Sequence, residues 1–144
     1  MQQWPGFPAF FALSGNYWVG SERFDPDLRN SVVAVITKWP GIRRARIGTR
    51  DAPEGSAVAI APGGYLFTNA HVLGRATKVD IRLHDRRLFA VSIIGRDTKT
   101  DLALLKAPIE FPVTRTSQAS SIGARVCAVG NQFGLGLSVT CGVI

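Results

Sequence analysis

An all-β, antiparallel architecture, barrel or sandwich, is what this sequence predicts. Three observations carry it. Apolar residues recur at every second position rather than at the helical spacing of about 3.6. Turn-forming Gly, Pro, Asn and Asp break the chain at close intervals. No long amphipathic helical pattern interrupts them.

The elements follow in order. Residues 31–37 (SVVAVIT) form a β-branched run, which suits a pleated, half-buried strand. Residues 56–61 (SAVAIA) predict a second strand. Pro62-Gly63-Gly64 is a turn, because glycine takes a positive φ without a Cβ clash. Residues 65–68 return as the hairpin partner. In 77–83, Val79, Ile81 and Leu83 alternate with Lys78, Asp80 and Arg82, giving a strand with one wet face. Asp85-Arg86-Arg87 makes the next turn. Residues 88–94 are apolar at nearly every position, the pattern of a strand covered on both faces. A polar loop over 95–100 leads to a short buried strand at 102–106. Pro108 and Pro112 then punctuate a stretch rich in Pro, Thr, Ser and Gln. That composition predicts a linker over 108–120 between a first unit, 31–107, and a second, 121–144. In the second, 125–130 and 137–143 flank a Gly-rich loop and pair as a hairpin that sets Cys127 opposite Cys141. Opposed cross-strand cysteines can approach bonding distance. Cys141 shares its face with Leu137, Val139 and Val143, so burial is expected, and a disulfide and two buried thiols both remain open.

At 144 residues, with 46% hydrophobic and 19% charged residues, the chain is that of one folded domain or a piece of a larger one. The net charge of +7 raises nucleic acid or an anionic membrane as partners. The positive residues are scattered, however. Only Arg43, Arg44, Arg46 and Arg50 cluster, among Pro40, Gly41, Gly48 and Pro53, which marks a solvated loop, so no nucleic-acid partner is expected. No apolar run is long enough for a transmembrane span. Residues 1–30 form an N-terminal arm. Its first 21 residues carry no charge, and Ala12-Leu13-Ser14 has a signal-peptidase spacing, but a basic start is lacking and Pro5, Gly6 and Pro8 break the apolar run. Signal remnant, pro-segment and aromatic-rich arm all stay open. With His71 and His84 the two histidines, no zinc-ligand spacing exists and no cofactor is expected.

The chemistry-bearing residues are His71 and Asp101. His71 ends the segment 63–71 and Asp101 immediately precedes the strand 102–106, so both stand at strand termini, where a rigid rim presents side chains to a cleft. A histidine titrates near neutral pH and serves as a general base, and a carboxylate behind it fixes its tautomer. Asp97 is the near rival to Asp101 but lacks a buried strand directly behind it, and His84 lies in a polar turn.

Thr68-Asn69-Ala70-His71-Val72 resembles the Thr-x-Ala-His-Cys/Val signature of trypsin-like serine proteases, and Thr100-Asp101-Leu102-Ala103-Leu104-Leu105 resembles their Asp-Ile/Leu-Ala-Leu-Leu segment. Gly55-Ser56, Ile94-Gly95-Arg96-Asp97 and Val129-Gly130-Asn131-Gln132-Phe133-Gly134-Leu135 are similar to the bacterial HtrA (Deg) branch. The resemblance covers about residues 31–144 and implies two antiparallel β-barrels, the first complete at 31–107 and the second only opened at 121–144. It implies a serine endopeptidase acting on polypeptide, with His71 as base and Asp101 as its orienting group. A periplasmic or secreted location fits that branch, with a cytoplasmic one left open, and oligomerisation is likewise open. Ala57, Arg86 and Gln132 depart from the pattern, the first two at positions where glycine is usual and the third where proline is. No serine stands in a Gly-x-Ser-Gly-Gly context; Ser56 and Ser138 read as strand residues. The nucleophile and oxyanion loop are therefore expected beyond Ile144, and residues 1–144 alone are not expected to hydrolyse peptides. The alternative is a catalytically inactive, protease-like binding module. A half-built second barrel would bare apolar faces and strand edges, so the isolated chain should aggregate or stay partly ordered beyond about residue 107. A monomer that melts cooperatively over its full length would contradict this.

Overall fold

The computed structural model describes residues 26–38, 54–114, 121–131 and 137–144. The arginine cluster at 43–50, residues 1–25 of the arm, 115–120 of the linker and the loop containing Gln132 lie outside them. A short helix α1 (Pro26–Ser31) leads into β1 (Val32–Lys38). There follow β2 (Glu54–Ala61), β3 (Tyr65–Asn69), a single helical turn α2 (Ala70–Leu73), β4 (Lys78–Arg82), β5 (Leu88–Asp97) and β6 (Leu102–Lys106). These six strands close into a barrel in the order β1-β2-β3-β6-β5-β4. Pairing of Val35 with Ile81 is part of the β1–β4 seam that closes it. A separate two-stranded sheet holds β7 (Arg125–Gly130) and β8 (Ser138–Val143).

Alternation decides what fills the barrel. Val33 and Val35 of β1, Ala57 and Ala59 of β2, Leu66 of β3, Val79 and Ile81 of β4, and Ala103 and Leu105 of β6 all point inward and are buried. Each fully buried Leu, Ile or Val contributes roughly 1.5–3 kcal/mol relative to exposure. Ala57 is a core residue, so a methyl is accommodated where the family pattern has glycine.

Strand β5 departs from expectation. It is not covered on both faces: Phe89, Val91 and Ile93 pack on the core, whereas Leu88 and Ile94 are about half exposed at 47% and 55%. The barrel is a single layer, so the outer face of β5 has nothing among the described residues to bury it. A register shift between Ile93 and Gly95 further bends the strand against β6. The second sheet differs in the same way. Cys127 pairs with Cys141 across β7 and β8 and the two are disulfide-bonded, with Cα atoms 4.0 Å apart. Cys141 is exposed rather than buried, as are Val139 and Val143 on its face, because no described layer lies over them.

The β2–β3 turn is held from several sides. Gly63 and Gly64 both adopt positive φ, 86° and 76°. Glu110 Oε2 accepts the Gly63 N–H at 2.7 Å, and the Lys106 ammonium donates to the Gly63 carbonyl while lying 4.2 Å from the centroid of the Tyr65 ring. A Cβ at Gly64 would stand 2.5 Å from the Ile109 carbonyl oxygen and 2.7 Å from that of Ala107. The β4–β5 turn carries the opposite situation. Arg86 adopts φ 70° although it has a Cβ, and its turn is sustained by the Arg87 N–H and Nε donating to the two Asp85 oxygens. The two turns give substitutions of opposite sign. Gly64→Ala should lower unfolding stability by about 1–3 kcal/mol or more, and Arg86→Gly should raise it by up to about 1 kcal/mol, both read from urea midpoints. A stabilised Gly64→Ala or a clearly destabilised Arg86→Gly would contradict the turn geometry.

Candidate active site

His71 and Asp101 are brought together by strand register. Strands β3 and β6 pair antiparallel with Asn69 opposite Leu102, so the residues just past the end of β3 lie beside the residue just before β6. The chain at that rim is tied twice. The Ala70 N–H donates to the Asp101 carbonyl at 3.1 Å, and the Asn69 amide donates to the same carbonyl at 3.2 Å. Helix α2 is anchored by buried Ala70 and Leu73, which leaves His71 on its outer side. Beneath it, β2 approaches so closely that a Cβ at Gly55 would fall 2.5 Å from Val72 Cγ1. At the exit of the turn the Arg96 guanidinium donates to the carbonyls of Gly74, at 2.6 Å, and Ala76.

Asp101 adopts φ 56°, a left-handed conformation that aspartate tolerates better than most residues. Its two carboxylate oxygens then reach the same neighbour. Oδ1 accepts the His71 backbone N–H at 2.9 Å, and Oδ2 lies 2.6 Å from His71 Nδ1. Oδ2 also accepts the Asn69 amide at 3.1 Å. Burial alone would raise the Asp101 carboxyl, but the His71 N–H, the His71 ring with its charge when protonated, and the Asn69 amide together hold it below the ordinary carboxylate range. An ionised carboxylate only accepts hydrogen bonds, so His71 carries its proton on Nδ1. In the neutral ring Nε2 is then the basic nitrogen. The side chains stay in reach of solvent and reactants, His71 at 55% and Asp101 at 43% exposure.

The rivals are placed elsewhere. Asp97 closes the β5–β6 turn by accepting from Thr100 Oγ1 at 2.8 Å and the Lys99 N–H at 2.9 Å, and those bonds lower its carboxyl. His84 sits exposed in the β4–β5 turn. Three supporting residues had no role in the sequence reading: Asn69, Arg96 and Ser56. Their partners are 20 to 75 residues away, so only the adjacency of Asn69 to the His71 motif could have flagged any of them. Among the described residues, no group of three or more His, Cys, Asp or Glu could hold a metal ion. No helix among them is long and apolar enough to cross a membrane.

Residues 55–144 match the family model of the trypsin-like peptidase domain. The chain is 43% identical over 100 residues to a probable periplasmic serine endoprotease DegP-like of Rickettsia prowazekii, an alignment covering 66% of this chain and 20% of that protein. A protein of the same description from Chlamydia trachomatis is 41% identical over 98 residues, again 66% of this chain and 20% of the relative. Among solved structures, the serine endoprotease from Yersinia pestis is similar at a TM-score of 0.68 with 32% identity, over 82% of this chain and 41% of that one. The HtrA-type protease AlgW, solved with a tripeptide, is similar at 0.68 with 30% identity, over 82% and 37%. The chain thus spans about a fifth of the length of these curated relatives.

The depressed Asp101 carboxyl sets the sign of an acid effect. Its contribution to stability is present above the ordinary carboxylate pKa and is lost as pH falls through the lower folded value. Asp101→Asn should therefore be less stable than the parent at pH 7, and the gap should narrow as pH falls below about 4, in urea titrations at a series of pH values. A gap independent of pH would show that the carboxylate charge is not what the rim holds.

Proposed function

The chain belongs to the trypsin-like peptidase family, and from that premise we propose that it carries the base and orienting carboxylate of a serine endopeptidase acting on polypeptides. The observation that carries the reading is the Asp101 carboxylate bonded at once to the backbone and the ring of His71. In the proposed mechanism Asp101 holds the Nδ1–H tautomer and stabilises the imidazolium that forms. His71 Nε2 takes the proton of a serine hydroxyl as its oxygen attacks the scissile carbonyl, then delivers that proton to the leaving amine. The serine and the backbone N–H groups that receive the oxyanion would come from protein following Ile144. Residues 31–107 would be the first barrel, 108–120 the connection and 121–144 the opening hairpin of the second. The scheme uses no metal or organic cofactor. A periplasmic or secreted location is supported by the names of the relatives and by the Cys127–Cys141 disulfide, a bond that persists in oxidising compartments.

The full-length protein, expressed from its own reading frame, should label with a serine-directed fluorophosphonate and cleave an unfolded protein substrate. His71→Ala and Asp101→Asn should each lower kcat by about ten-thousand-fold with the fold retained by circular dichroism. A protein that binds polypeptide but neither labels nor cleaves would instead be the inactive module.

A further inference from the structure

Ser56 is where the two sheets meet. Its hydroxyl accepts the Asn131 backbone N–H at 2.7 Å, across 75 residues of chain. Asn131 directly follows β7 and is buried at 4% exposure. Gly130, the last residue of β7, comes so near that a Cβ there would lie 3.0 Å from Ser56 Oγ. The other bonds of this short segment lead to the His71 rim. The Ser56 carbonyl accepts the hydroxyl of buried Thr68 at 2.7 Å, and Thr68 precedes Asn69, whose amide holds Asp101. Gly55 lies against Val72, the neighbour of His71. Two consecutive residues of β2 therefore touch the histidine turn, the strand that supports Asp101, and the end of the second sheet.

We propose that Ser56 is a positioning residue: its hydroxyl pins the Gly130–Asn131 end of β7 to the barrel and so sets where the second sheet stands relative to His71. The inference rests on the peptidase reading above, in which the reacting serine belongs to the same unit as β7. A general base acts only within hydrogen-bond reach of the proton it takes. Displacing a reacting group by about 1 Å can cost roughly a hundredfold in rate. The Ser56–Asn131 bond acts at the junction that fixes that distance, while the His71–Asp101 contacts themselves are made without it. A hydroxyl suits the place because one oxygen serves as acceptor on a strand whose backbone carbonyl is already engaged by Thr68.

The test uses the full-length protein with Ser56→Ala, Gly130→Ala and the double variant, approached from the two sides of one contact. Active sites are counted with a fluorophosphonate, and turnover is expressed per labelled site. Each single variant should lower kcat about tenfold or more, with KM changed less than about twofold. The double variant should be no worse than Ser56→Ala, because a Cβ at position 130 then meets the Cβ of residue 56 at an ordinary 3.8 Å. Hydrogen exchange at the Asn131 amide should quicken in Ser56→Ala. Variants that lose only melting temperature or the number of labelled sites, with kcat per site at the parent value, overturn the proposal. If the parent neither labels nor turns over, the peptidase reading falls, and exchange judges the tie alone: faster Asn131 exchange upholds it and unchanged exchange overturns it.

Discussion

The arrangement depends on one carboxylate held by a backbone N–H and a ring nitrogen of the same residue. Asp101 reaches His71 through Oδ1 to the main chain and Oδ2 to the imidazole, so the ring has one bonded orientation rather than a range of rotamers. That geometry exists only because β3 and β6 pair with Asn69 opposite Leu102. A slip of one residue would turn the buried Leu66 and Leu105 outward as well as separating the pair. The apolar alternation that folds the barrel and the register that sets the dyad are thus one constraint. A core of fully buried Val35, Leu66, Ile81 and Leu105 keeps the rim in place without a residue of its own being buried there.

Most of the barrel was legible in the chain because inward and outward residues alternate strictly in β1, β4 and β6, and because Pro62-Gly63-Gly64 and Asp85-Arg86-Arg87 admit few backbone paths besides a turn. The His71–Asp101 pair was legible because each residue lies in a short segment of fixed pattern at the end of a strand. What failed was inference about layers. Leu88 and Ile94 of β5, and Cys141 with Val139 and Val143 of β8, are apolar letters on faces that no described element covers. An apolar side chain states a preference for burial and says nothing about whether a second surface is present to satisfy it. The supports were illegible for a different reason. Asn69 next to a histidine, and Ser56 in a strand, are ordinary polar residues until the fold delivers partners from 32 and 75 residues away.

The two non-glycine residues with positive φ show how the same backbone state can be held for different ends. At Arg86 the left-handed turn joins β4 to β5, and the Asp85 carboxylate compensates by binding the next residue twice. Nothing at that position needs a side chain, so the glycine usual in the resembling branch would serve it better. At Asp101 the left-handed backbone turns the carboxylate toward His71, and Cβ is indispensable because the carboxylate hangs from it. Glycine there would relax the backbone and remove the group the conformation exists to aim. Strain that a bond network sustains at a functional residue, and that substitution could relieve only by abolishing the contact, is of a different kind from strain in a turn. Asp101 is of the first kind and Arg86 of the second, and that contrast locates the site from the backbone alone.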